Sequence, residues 1–125
     1  MLSERRAHTT LPVTDLAAAK AFWQDRLGFR PLIENEAAIL FSAGEGSAFA
    51  VTRSSGRASG THTQLGFTVT DIEAEIADLT ARGVTFEEYD VPGLRTEHSV
   101  AVTGAGRAAW FRDPEGNLIG LIELA

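Results

Sequence analysis

Apolar positions along the chain spell out one pattern twice. In "LPVTDLAAAKAFWQDRLGF", which starts at Leu11, an alternating apolar segment passes through Val13-Thr14-Asp15 into a stripe of Leu16, Ala19, Trp23 and Leu27, with Gly28 behind it. In "FTVTDIEAEIADLTARGVTF", which starts at Phe67, the passage through Val69-Thr70-Asp71 leads to Ile72, Ile76 and Leu79, and then to Gly83. A spacing of i, i+4, i+7 marks one buried helical face, so each copy predicts a strand followed by a helix. Thr70 with Glu73 reads as a capping box that starts the second helix near Asp71, and the glycines stop both helices. Asp15 and Asp71 correspond, 56 residues apart.

A second echo lies further along each copy. "GEGSAFAV" from Gly44 matches "PEGNLIGL" from Pro114, which pairs Gly46 with Gly116 and Ala50 with Gly120. Short β-rich segments fill the space between helix and turn: "FRPLIENE" and "AAILFSA" in the first copy, "VTFEEYDV" and "RAAWFRD" in the second. Each copy is therefore a βαβββ module, residues 1–53 and 61–125, and the Gly/Ser-rich "SSGRASG" at 54–60 is the linker. A module this small cannot cover its own sheet face. Together the two predict a single α+β domain over 1–125: a curved eight-stranded mixed sheet with helices outside and a concave cleft within.

Composition narrows the partners. The 125 residues carry a formal net charge of −6, with Lys20 the single lysine, so nucleic acid and anionic membranes, which demand a basic face, are not expected. No apolar run approaches the ~20 residues that span a bilayer, and "MLSERRAHTT" lacks the apolar centre of a signal peptide, so the cytoplasm is the default location. The absence of cysteine removes disulfides, thiolate chemistry and cysteine-ligated zinc. Any metal would have to bind through His, Glu, Asp or Gln.

Two stretches, "HTTLPVTDLAAAKAFWQDRLGF" near the start and "FRDPEGNLIGLIEL" near the end, resemble the vicinal oxygen chelate superfamily of glyoxalase I, extradiol dioxygenases, fosfomycin-resistance enzymes and bleomycin-resistance proteins. The resemblance implies the two-module fold, a homodimer, and metal ligands at inward-facing positions on the first and last strand of each module. Those positions are His8 and Ala50 in the first module and Gln64 and Gly120 in the second. Metal enzymes of this kind usually place His, Gln or Glu at three or four of them, commonly a glutamate where Gly120 stands. A divalent cation wants at least three protein ligands and a carboxylate to offset its charge. With only His8 and Gln64 able to coordinate, no metal or other cofactor is expected; the alternative is a divalent ion on His8 and Gln64, helped by His62.

Without a metal, the same positions describe a pocket. His8 and Gln64 would be fixed polar groups in a cavity whose walls include Thr10 and Gly66, two residues further along the same strands, with Ala50 and Gly120 leaving volume. Ligand sites are commonly apolar concavities with a few fixed polar groups. Trp110 and Phe111 alternate on one strand, so one of them faces inward, and Trp110 is the candidate to stack on a planar ligand. Glu87, Glu88, Asp90 and Glu97 around Tyr89 read either as an acidic rim for a cationic ligand or as a solvated hairpin. His98 lies in a loop able to fold over the cleft, whereas Glu123, three residues beyond Gly120, points to the opposite sheet face. The reading is a bleomycin-resistance-like protein that binds a small organic ligand without metal. The alternative is a metal-dependent lyase, isomerase or thiol transferase of the glyoxalase type.

Overall fold

Each copy of the repeat builds a four-stranded sheet and sets one helix against it. The computed structural model describes residues 1–125 and divides the chain into two units, Met1–Ala58 and Ser59–Ala125. The first unit contains β1 (Thr9–Val13), α1 (Leu16–Lys20, continued by a π turn over Ala21–Arg26), β2 (Arg30–Glu34), β3 (Ala38–Ser42) and β4 (Ala48–Arg53). Its strand order is β1-β4-β3-β2, with β1 parallel to β4 and the rest antiparallel. The second unit contains β5 (Thr63–Thr68), α2 (Ile72–Ala81), a small hairpin of β6 (Asp90–Val91) and β7 (Leu94–Arg95), then β8 (Ala101–Thr103), β9 (Gly106–Arg112) and β10 (Leu118–Leu124). Its sheet follows the same plan, β5-β10-β9-β8, with β5 parallel to β10. The fold is α+β, made of two βαβββ modules.

The repeat is visible atom by atom at the helix ends. Asp15 caps α1 by accepting from Ala18 N at 3.0 Å, and Asp71 caps α2 by accepting from Ala74 N at 3.1 Å. The cap of α2 is thus Asp71 and not Thr70, and Glu73 reaches Arg107 at 2.7 Å instead of turning back to complete a capping box. Gly28 and Gly83 end the helical segments with φ of 80° and 91°, which a side chain would disfavour. The turns before β4 and β10 also match, since Gly46 and Gly116 both hold positive φ.

In the first unit the core is aromatic. The π turn carries two consecutive side chains inward, and Trp23, fully buried, meets Phe22, Phe29 and Phe49 edge-on at 4.8–5.5 Å. In the second unit Phe111 packs against Phe86 at 5.6 Å, with Leu65, Ile72 and Ile119 buried. Ahead of β10, Asp113 is buried and accepts from Glu115 N, Asn117 N and Asn117 Nδ2 at 2.8–2.9 Å. This network is why Asp-Pro-Glu-Gly-Asn makes a tight turn. Burial raises the Asp113 carboxyl above the usual range despite the donors around it.

One predicted strand is replaced. Residues 84–91 do not form a continuous strand; Phe86 makes a single bridge to Phe111 and Glu87 N donates to Trp110 O at 2.8 Å. The chain then leaves the sheet and returns as β8, within the stretch the sequence reads as a loop. Glu88 ties the excursion together: its carboxylate accepts from Thr96 Oγ1 at 2.6 Å and from Ser99 N at 3.0 Å, linking residues 88 to 99.

Candidate functional site

The open face of the second sheet is set by register. Gly120 on β10 lies beside Gly66 on β5 and Trp110 on β9. Side chains alternate along a strand, so Trp110 shares its face with Ala108 while Phe111 turns to the core. A register irregularity between Leu118 and Ile119 makes Thr63 the partner of Leu118 and skips Gln64. Thr63 consequently leans over Gly120 and accepts from Trp110 Nε1 at 3.1 Å. Tyr89, delivered by the excursion after Glu87, meets Trp110 edge-on at 5.8 Å.

Two concavities flank this tryptophan. One of about 280 Å³ is floored by Gly66, Ala108, Gly120 and Ile122, with Thr63 and Trp110 as its wall. The space above Gly66 is empty enough to admit a methyl group without contact. The other, about 400 Å³, lies on the far side of Trp110 and is lined by His62, Thr63, Tyr89, Leu94 and Arg112. Arg112 is fixed there by Glu87 at 2.6 Å, and that hydrogen bond raises its pKa further. His62 is held through Nδ1 by Ser59 Oγ at 3.0 Å. An indole braced on both edges beside small residues and a few polar groups suits a planar organic molecule.

Of the candidates read from sequence, Gly66, Trp110 and Gly120 come together on this face. Gln64 sits half-buried on β5 and lines neither concavity, because the register irregularity gives its place to Thr63. Thr10 and Ala50 are in register on the β1–β4 pair of the first unit, with exposed His8 just ahead of β1. His98 is exposed, sits with Ser99 at positive φ, and lines neither of these two concavities. Glu87 and Glu88 are committed to Arg112, Thr96 and Ser99, so they do not form a free acidic rim. Thr63, Tyr89 and Arg112 are the residues that sequence spacing missed.

Residues 5–121 match the model of the Glyoxalase/Bleomycin resistance protein/Dioxygenase superfamily. The chain belongs to this superfamily. Among solved structures it is similar to the bleomycin-binding protein of bleomycin-producing Streptomyces verticillus complexed with copper(II)-bleomycin, at 25% identity over 100% of both chains and a TM-score of 0.75. It is also similar to TnmS3, an antibiotic binding protein from Streptomyces sp. CB03234, at 23% identity over 100% of this chain and 99% of that one, TM-score 0.70. A third is the fosfomycin resistance protein FosX of Listeria monocytogenes complexed with Mn(II) and sulfate, at 20% identity over 98% and 91%, TM-score 0.66. No curated protein matches the chain in sequence.

A divalent cation wants at least three protein donors, and the four strand positions here do not supply them. Ala50 and Gly120 carry no donor atom. A Cβ on Gly120 would come within 3.0 Å of Thr63 Cγ2 and 3.4 Å of Trp110 Nε1, so a side chain there would crowd both. A separate acidic group, Asp71, Glu73 and Glu123, gathers at the start of α2. Its members already have partners: Arg107 binds Glu73 and Glu123 at 2.7 and 2.8 Å, Glu123 also accepts from Ile72 N at 2.9 Å, and Asp71 caps α2. Glu123 lies on the helix side of the sheet, away from Trp110, as strand alternation requires.

Proposed function

We propose that the protein binds a small, planar organic ligand against Trp110 without a metal ion, as a sequestering or sensing protein of the bleomycin-resistance kind. The observation that carries this is the half-exposed indole of Trp110, braced by Thr63 and Tyr89 above a floor of Gly66, Ala108 and Gly120. The copper(II)-bleomycin complex of the 25%-identical neighbour supports an antibiotic-like ligand. In this reading Gly66, Trp110 and Gly120 touch the ligand, and the two modules belong to one domain. The protein works as a homodimer in the cytoplasm; light scattering should return twice the chain mass.

Fluorescence tests the site directly. Trp23 is wholly buried, so changes in emission on ligand addition report Trp110. Titration with bleomycin, metal-free and copper-loaded, and with a panel of planar polycyclic antibiotics, should give saturable quenching at micromolar concentration for at least one compound, and Trp110→Phe should remove it. Failure of every compound, or equal quenching in Trp110→Phe, would overturn the proposal. His62 supports a second reading, a glyoxalase-type lyase, isomerase or thiol transferase, because it stands on the wall of the larger concavity with one ring nitrogen fixed by Ser59. Turnover abolished by His62→Ala would favour that reading.

A further inference from the structure

The first unit holds a concavity of its own, about 390 Å³, between α1 and the ends of β2, β3 and β4. The internal repeat explains its origin. Thr10 pairs with Ala50 as Gly66 pairs with Gly120, and Asp15 caps α1 as Asp71 caps α2. It follows that Leu16, Ala17, Ala37 and Arg53 occupy the places of Ile72, Glu73, Arg107 and Glu123. In the second unit those places interlock through the Glu73–Arg107–Glu123 ion pairs and the Ile72 N hydrogen bond. In the first unit two of the interlocking side chains are reduced to alanine, which opens the volume. The third is reversed in charge: a guanidinium stands where the other unit keeps a carboxylate.

Around this volume one charge pair is closed, and two exposed charges have no protein partner. Lys20 and Glu34 pair with each other at 2.7 Å. Arg53 and Glu36 both line the concavity, and neither side chain has an ion-pair partner. The floor is apolar, with Ile39 and Leu16 buried and Ala17 beside them. A lone carboxylate drawn to Arg53 would meet Glu36, and a lone amine drawn to Glu36 would meet Arg53. A ligand that carries both charges on an apolar body answers both.

We propose that this concavity is a second binding site, independent of the Trp110 face, for an α-amino acid with an aliphatic side chain or a zwitterion of the same form. Arg53 takes the carboxylate, Glu36 the ammonium, and the side chain lies on Leu16, Ala17 and Ile39.

The test is a titration of the ¹⁵N-labelled full chain with L-leucine, followed by amide chemical shifts, with 4-methylpentanoate and isoamylamine as probes that each lack one charge. Leucine should shift the amides of Ala17, Glu36, Ile39 and Arg53 and leave those around Trp110 in place. The two single-charge probes should bind about tenfold more weakly, as loss of one charge-assisted contact predicts. Arg53→Gln should weaken leucine by a similar factor. The triple variant Ala17→Glu, Ala37→Arg, Arg53→Glu transplants the interlock of the second unit and should abolish the shifts. Absence of leucine-induced shifts, shifts centred on Trp110, equal binding of 4-methylpentanoate, or unchanged binding in Arg53→Gln would each overturn the assignment. Arg53→Gln keeps the test decisive if the triple variant fails to fold.

Discussion

At the scale of single residues, Gly120 shows how a ligand position is converted into packing. Thr63 Cγ2 lies over it and Trp110 Nε1 beside it, so any larger side chain must displace one of them. Gly120→Glu, which restores the carboxylate common among metal-using relatives, should therefore cost about 1–3 kcal/mol of stability through overpacking. Adding Thr63→Ala should recover most of that loss, because it removes the atom in the way, and chemical denaturation of the single and double variants measures the coupling. A fully additive result would mean that the crowding at Gly120 is not what fixes Thr63. The grouping of Gly66, Trp110 and Gly120 on one face was legible in the sequence, from strand alternation and from the family resemblance. Thr63 was not, because a one-residue irregularity in strand register leaves no mark in apolar periodicity.

At the scale of elements, α2 is fastened to its sheet by a carboxylate. Glu123 accepts from Ile72 N and from Arg107, and these contacts, the backbone one foremost, hold its carboxyl below the usual glutamate range. A folded-state pKa lower than the unfolded one contributes stability that is present above the ordinary glutamate value and lost as pH falls through the depressed one. Glu123→Gln should therefore lower the melting temperature at neutral pH, and the gap to the native protein should narrow on acidification across that window. A gap independent of pH would show that the charge of Glu123 is not what fastens the helix. The two helices could be read from spacing, since periodicity and the Val-Thr-Asp repeat are local signals, but the cap of α2 falls on Asp71, one residue beyond the Thr70 that the sequence suggests. The fourth strand of the second sheet could not. Its place beside β9 is shared between Phe86–Glu87 and β8, and the division follows from hydrogen bonds of Glu88 to residues 8 and 11 positions away.

At the scale of the whole molecule, two copies of one module have been put to different uses. The second unit closes the region at the start of its helix with ion pairs and opens a tryptophan-lined sheet face; the first leaves the corresponding helix region open and buries its own tryptophan. The βαβββ repeat, and with it the superfamily, was legible in the sequence because both rest on turns, caps and apolar stripes. The use of each face was not, because it depends on which side chains meet across strands far apart in the chain. The proposed function has an aromatic ligand site on a superfamily scaffold that binds no metal. The most direct measurement is metal content: untagged protein incubated separately with Ni²⁺, Zn²⁺, Mn²⁺ and Fe²⁺, dialysed, and assayed for bound metal per chain by elemental analysis. The account predicts a ratio near zero for all four ions. A ratio near one for any of them would contradict it and return His8, Gln64 and His62 to the role of ligands.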